Sequence, residues 1–227
     1  FRPSSRFLQA YLSSKNAFPF RTEPEQDSSL PVFTLQIGLF YEVRIQGKRM
    51  TGGLDWIFFD LGSTLVDESA TAELRIREAA RRSGAPYDEC FAKTAEYFAH
   101  GKSGYAELAK ELHIQLPHWH SEAERLYPDT EDCLRRLSAR YKIGIIANQN
   151  AGVRGRLAQF GILQYFDVVA SSAEAGAAKP DRRLFDIALK QAACAPERAV
   201  MIGDRLDNDI TPAKALGMKT LWLKRGF

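Results

Sequence analysis

The spacing of apolar residues changes character twice along this chain. Trp56-Ile57-Phe58-Phe59 is an unbroken apolar run that meets Asp60 and then the turn signal Gly62-Ser63-Thr64. A short run of aromatic and β-branched residues closed by a turn predicts a strand buried on both faces. Over 69–126 the spacing is helical instead. Ala72, Leu74, Ile76, Ala79 and Ala80 predict one helix ended by Ser83-Gly84. Phe91, Ala95, Phe98 and Ala99 predict a second, ended by Gly101. Tyr105, Leu108, Ala109 and Leu112 mark a third and residues 118–126 a fourth, with no strand in the stretch.

From Thr130 helices and strands alternate. A helix carrying Cys133, Leu134 and Leu137 leads to a strand at 142–147, and a helix carrying Val153, Leu157 and Phe160 leads to a strand at 167–170. A helix with Leu184, Phe185 and Ala188 precedes a strand at 199–203, and a helix from Asp207 to Gly217 precedes one at 219–223. Such alternation implies right-handed crossovers and a parallel sheet. The expected fold is α/β: a Rossmann-like parallel sheet built from 50–68 and 127–227, with a small all-helical cap inserted at 69–126. Asp60 then stands at the carboxyl end of a central strand, where open α/β sheets bind ligands. An aspartate there is a nucleophile, a metal ligand or a helix cap.

Residues 1–49 differ from the rest. The stretch 3–29 is rich in Ser, Pro, Glu and Gln, a composition that argues for disorder. Phe33, Leu35, Ile37, Leu39, Tyr41, Val43 and Ile45 alternate with a mostly polar set and predict a strand. The segment 1–49 is expected to lie outside the fold, the alternative being an added edge strand.

Charge sharpens this division. The formal net charge of +3 arises wholly within 1–49, where seven basic and four acidic residues stand; the remainder carries 24 of each sign. A neutral body lacks the basic footprint that phosphate-backbone binding needs, so nucleic acid is not an expected partner. No apolar run reaches the roughly 18 residues of a membrane span. Cys90, Cys133 and Cys194 are isolated and odd in number, which suggests neither a disulfide framework nor a zinc site and fits a reducing cytoplasm.

Three segments carry the candidate chemistry: Phe59-Asp60-x-x-x-Thr64-Leu65, Ala178-Lys179-Pro180-Asp181, and Gly203-Asp204-x-x-x-Asn208-Asp209. In this order and spacing they resemble the haloacid dehalogenase-like (HAD) hydrolase superfamily, over about residues 54–226. A helical insert directly after the first motif is similar to the subfamily whose cap sits at that point. The resemblance implies that Asp60 attacks phosphorus to form an aspartyl-phosphate that water hydrolyses. It implies Mg²⁺ held by Asp60, the carbonyl of Gly62, Asp204 and Asp209, the last directly or through water. Lys179 would neutralise the phosphoryl oxygens and Asp60. Helix capping is the lesser alternative for Asp204 and Asp209; a solvated surface lysine would be the better reading of Lys179 alone, but its place before Pro180 in the family's order reverses that.

The sequence departs from the family pattern twice. Most HAD phosphatases carry a second aspartate two residues after the nucleophile, where this chain has Gly62. At Ala147 the family usually has a Ser or Thr that bonds the phosphoryl group. The backbone N–H groups of Asn148 and Gln149, or the Asn148 side chain, are the expected substitutes. General acid–base catalysis is worth about 10²–10⁴ in rate, and one oxyanion-type donor about 10²–10³. The expected enzyme therefore prefers a small phosphorylated metabolite with a good leaving group, such as an acyl or aryl phosphate. Another acid, Asp67 or a cap residue, is the alternative source of the proton. The rival functions are a catalytically idle ligand- or protein-binding member and a metal-independent dehalogenase.

Other candidates rank lower. His118 and His120 stand two apart, which on a helix points them away from each other. Arg75, Arg77, Arg81 and Arg82 read as a solvated helix face before an anion site. Phe91, Tyr97, Phe98 and Tyr105 read as cap core before a stacking surface.

Overall fold

In the computed structural model, which describes residues 34–36, 42–44 and 53–224, the apolar run becomes the middle strand of a five-stranded parallel sheet. The strands are β1 (Thr34–Gln36), β2 (Glu42–Arg44), β3 (Trp56–Phe59), β4 (Val66–Asp67), β5 (Arg125–Leu126), β6 (Lys142–Ala147), β7 (Val168–Ser171), β8 (Ala199–Gly203) and β9 (Lys219–Trp222). The sheet order is β7-β6-β3-β8-β9. Trp56 lies opposite both Lys142 and Ala199, and Phe59 opposite both Ile145 and Ile202. This register brings the carboxyl ends of the three central strands to one rim.

Side chains alternate across the sheet with the period of two that strands impose. Ile57, Phe59, Ile143, Ile145, Val169 and Ile202 face one layer, with Leu134 and Leu157 packed on them. Phe58, Ile146, Val168 and Met201 face the other, against Leu184, Phe185 and Ala188. The helices are α1 (Ser69–Ser83), α2 (Tyr87–Ala99), α3 (Gly104–Glu111), α4 (Thr130–Ser138), α5 (Val153–Gln159), α6 (Ser172–Ala175), α7 (Arg182–Gln191) and α8 (Thr211–Ala215). α1, α2 and α3 bury a cluster of their own around Ile76, Ala79, Cys90 and Leu108. Gly84 closes α1 with φ 76°, a left-handed conformation that favours glycine.

Two sequence expectations are corrected. The fourth helix over 118–126 does not form: Ser121–Ala123 makes one tight turn, and Arg125–Leu126 is a strand paired antiparallel with β4. The segment follows Pro117, and its side chains are committed elsewhere, Trp119 Nε1 donating to Glu124 Oε1 at 2.7 Å. The single strand expected over 33–45 is instead β1 and β2, paired antiparallel with Thr34 opposite Arg44. They form a sheet separate from the five-stranded one. The stretch 3–29 lies outside the described residues. Among those described, no helix is long and apolar enough to cross a membrane.

Candidate active site

Asp60 leaves the end of β3 with its backbone N–H donating to the Ile202 carbonyl at 2.8 Å, which fixes it against β8. Asp204 follows the end of β8 in the same way. Next comes a wide helical turn, Leu206–Ile210, that leads into α8 and carries Asp209 inward. Gly203 makes this possible, because a Cβ there would collide with the Asp209 carboxylate. Lys179, in the loop between α6 and α7, enters from the opposite side and is almost fully buried.

The four side chains meet. Lys179 Nζ donates to Asp60 Oδ1 and to Asp209 Oδ1, each at 2.6 Å. Asp60, Asp204 and Asp209 each present a carboxylate oxygen within 4.8 Å of the others, the one such acidic cluster among the described residues. Thr64 Oγ1 donates to Asp204 Oδ1 at 3.4 Å. Burial, then the neighbouring Asp60 and Asp209 charges, push Asp204 up to about 8. Burial and Asp60 push Asp209 up to about 6 against the pull of Lys179. Burial pulls the Lys179 ammonium down, but the two carboxylates on it hold it above its ordinary value.

Three carboxyl groups around one ammonium leave acidic groups in excess in a largely buried space, which is why burial and mutual repulsion raise Asp204 and Asp209. Hard carboxylate oxygens converging from separate loops suit a divalent cation that takes oxygen ligands. The cluster therefore fits such an ion in both charge and donor type.

The capping reading does not hold: neither Leu206–Ile210 nor α8 has a side-chain cap. Asp209 Oδ2 does accept from the Arg205 N–H at 3.0 Å, while its other oxygen binds Lys179. Asp207 is paired with Arg205 at 2.6 Å. The reading of Lys179 as a solvated lysine is overturned by its burial.

Asn148 joins the site through its side chain. Its Oδ1 accepts from the Lys179 N–H at 2.7 Å and its Nδ2 donates to the Lys179 carbonyl at 2.9 Å. The side chain positions Lys179 and is committed in both directions. The Gln149 N–H donates to Ser172 Oγ at 3.0 Å, so it too is engaged. Ala147 is fully buried at the end of β6, level with Ser171 on β7, whose buried hydroxyl has no hydrogen-bond partner.

Gly62 is the position where the structure adds most. Its backbone lies outside the left-handed region, so conformation does not demand a glycine. A Cβ there would lie 2.5 Å from Glu68 Oε2, so the end of the Glu68 side chain would have to move aside. Burial, with the Asp60 and Glu124 charges, pushes Glu68 up to about 7 against the pull of Arg156. Arg156, from α5, lies 3.4 Å from Glu68 Oε1 and 2.7 Å from Glu124 Oε1, and also donates to Gln149 Oε1. Sequence reading missed Glu68, Arg156 and Glu124. Asp67, the acid considered instead, accepts from the Ser69 N–H at 2.9 Å and serves the start of α1.

The remaining candidates resolve as follows. His118 and His120 are not on a helix, and their rings meet edge to face at 5.4 Å rather than pointing apart. Among the described residues no third ligand joins them to make a metal cluster. Arg77, Arg81 and Arg82 pair with Glu73 and Glu78 on α1. Arg75 instead lies 5.0 Å from the Tyr105 ring and 5.3 Å from the Trp119 ring. Phe91 and Tyr105 pack on the insert's own cluster, as core residues do.

Comparison with known proteins agrees with this arrangement. The family model of haloacid dehalogenase-like hydrolases matches residues 54–217. The chain belongs to this family. Among its relatives are the glyceraldehyde 3-phosphate phosphatase of Pyrococcus furiosus, 32% identical over 75% of this chain and 80% of the relative. The pyrimidine 5'-nucleotidase YjjG of Escherichia coli is 31% identical over 74% of this chain and 85% of the relative. Among solved structures, a HAD phosphatase from Thermococcus onnurineus superposes with a TM-score of 0.57 at 25% identity, covering 75% of this chain and 86% of that one. The HAD hydrolase YfnB of Bacillus subtilis shares the fold, with a TM-score of 0.62 at 19% identity over 76% of this chain and 90% of that one. The protein is a hydrolase of the HAD phosphatase type.

Proposed function

We propose that this HAD hydrolase is a Mg²⁺-dependent phosphohydrolase that uses Asp60 as nucleophile on a small phosphorylated metabolite. The observation that carries the reading is the set of three carboxylates around the single ammonium of Lys179 at the strand ends. Relatives named for glyceraldehyde 3-phosphate and for pyrimidine nucleotides support a small phosphate ester as the substrate class.

Each residue of the site then has a task. Asp60 Oδ attacks phosphorus, and the bond from phosphorus to the leaving group breaks. Lys179 holds the Asp60 carboxylate and neutralises the phosphoryl oxygens. Asn148 fixes the Lys179 backbone, so the ammonium arrives already aimed. Asp60, Asp204 and the Gly62 carbonyl would hold Mg²⁺, with Asp209 acting directly or through water. When bound, the ion neutralises phosphoryl charge as a Lewis acid. With these groups alone, the site serves substrates whose leaving groups need no proton. The cap role of 69–126 belongs to the same reading: the insert closes over the strand ends and selects the substrate. Cys90 and Cys194 are free thiols, in keeping with a reducing cytoplasm.

A panel of phosphorylated metabolites, assayed with Mg²⁺ and with excess EDTA, tests the reading. Hydrolysis that EDTA abolishes and Asp60→Asn abolishes supports it. Hydrolysis that persists in EDTA contradicts it and directs attention to carbon–halogen bonds. Ligand binding without turnover indicates an idle member.

A further inference from the structure

We infer that Glu68 is the acid–base residue of this site, its carboxylate standing in for the aspartate that Gly62 replaces. The inference rests on the phosphohydrolase reading above. A Cβ on Gly62 would lie 2.5 Å from Glu68 Oε2, 2.6 Å from Oε1 and 2.7 Å from Cδ. The oxygens of an aspartate at position 62 would stand about as close to that same Cβ. A carboxylate from six residues further on therefore borders the space that an aspartate side chain at position 62 would enter. A side chain at 62 would push the end of the Glu68 side chain out of its present place.

The chain reaches this arrangement by folding back. The Ser63 N–H donates to the Val66 carbonyl at 2.8 Å, and the Leu65 and Val66 N–H groups share the Leu61 carbonyl at 3.0 Å. Val66–Asp67 then runs on as β4, which delivers Glu68 beside Gly62. Arg156 is the positioning residue: Glu124 and Gln149 anchor its guanidinium, which lies against Glu68 Oε1. The Glu68 side chain remains 19% exposed, so it is not sealed into the core.

In the first step, Asp60 Oδ bonds to phosphorus while the phosphorus–oxygen bond of the leaving group breaks. That oxygen keeps the electron pair and takes the proton of the Glu68 carboxyl. In the second step, water attacks the aspartyl-phosphate and gives a proton to the Glu68 carboxylate. The phosphorus–Asp60 bond breaks, its electron pair returning to Asp60, and phosphate leaves. Glu68 ends protonated, as it began.

The test uses acetyl phosphate, p-nitrophenyl phosphate and glyceraldehyde 3-phosphate, with Mg²⁺, in single turnovers of wild type and Glu68→Gln. The amide keeps the size of Glu68 and its contact with Arg156 but has no proton to give. Release of the alkyl leaving group is expected to slow by about 10²–10⁴. Release from acetyl and p-nitrophenyl phosphate should change little, and the phosphoenzyme should accumulate because its hydrolysis loses the base. Gly62→Asp combined with Glu68→Ala should restore the alkyl phosphate. A uniform loss on all three substrates, or no loss, overturns the inference and leaves Glu68 a structural partner of Arg156. A thermal melt of Glu68→Gln shows whether a uniform loss is unfolding; in that case, failure of the paired variant to restore the rate on the alkyl phosphate overturns it instead. If wild type forms no phosphoenzyme with acetyl phosphate, the phosphohydrolase reading fails first and the inference with it.

Discussion

Replacing Lys179 by methionine should destabilise the metal-free protein severely. The ammonium touches Asp60 and Asp209 at 2.6 Å each, and only 2% of its side chain is exposed. Methionine nearly matches the lysine stem in length but removes the cation that Asp60 and Asp209 both contact. Removing one partner of a buried pair costs about 3–5 kcal/mol. The two pairs share one lysine, so their losses do not add, and Asp60 is partly exposed. The expected loss is that of one buried pair. With a urea m-value of about 1–3 kcal/mol/M, the unfolding midpoint should fall by about 1 M or more. Urea titrations of wild type and Lys179→Met at neutral pH in EDTA measure this. Saturating Mg²⁺ should recover part of the loss, because the cation replaces the missing charge. A midpoint in EDTA indistinguishable from wild type would refute the reasoning, since those charges would not then be confined together.

Other expectations follow from the same geometry. Asp204 and Asp209 have raised folded-state values of about 8 and about 6, so their carboxylates favour folding when protonated and oppose it as pH rises through those values. Without metal, Asp204→Asn should therefore gain on wild type as pH rises from about 5 to about 8; a difference that shrinks with pH contradicts this. With Mg²⁺ at about 100 times its Kd, wild type should gain about 2.7 kcal/mol and Asp204→Asn most of that less, read by thermal melts. Gly62→Ala should cost no more than about 1 kcal/mol in urea unfolding, because only the end of the Glu68 side chain has to move; a loss well above that would mean Arg156 holds Glu68 rigidly in place. A form starting at Met50 should unfold within about 1 kcal/mol of the full chain, the range of peripheral changes; a larger loss in urea would place the 33–45 segment in the core.

The alternation of βα units made the sheet legible, and Asp60, Lys179, Asp204 and Asp209 were legible because each follows or faces a strand end in a recognisable motif. What failed to show depends on contacts distant in sequence. Asn148 was legible as a candidate phosphate ligand, but not the bonds of its side-chain amide to the Lys179 backbone 31 residues away. Arg156 sits in an unremarkable Arg-Gly-Arg stretch, and it meets Glu68 across 88 residues. Glu68 reads as one more acid at a helix start, and only the fold-back of 61–67 carries it to Gly62. Residues 118–126 have helical spacing, yet pairing with β4 outweighs that local preference.

The central claim is that Asp60 carries the phosphoryl group. The most direct measurement is an acid quench of the protein turning over acetyl phosphate with Mg²⁺, followed by peptide mass mapping, with Glu68→Gln alongside to slow breakdown of the intermediate. The account predicts a phosphoryl mass increment on the peptide containing Asp60, absent in EDTA and absent from Asp60→Asn. Steady hydrolysis with no increment in either protein, or an increment on any other residue, would contradict it.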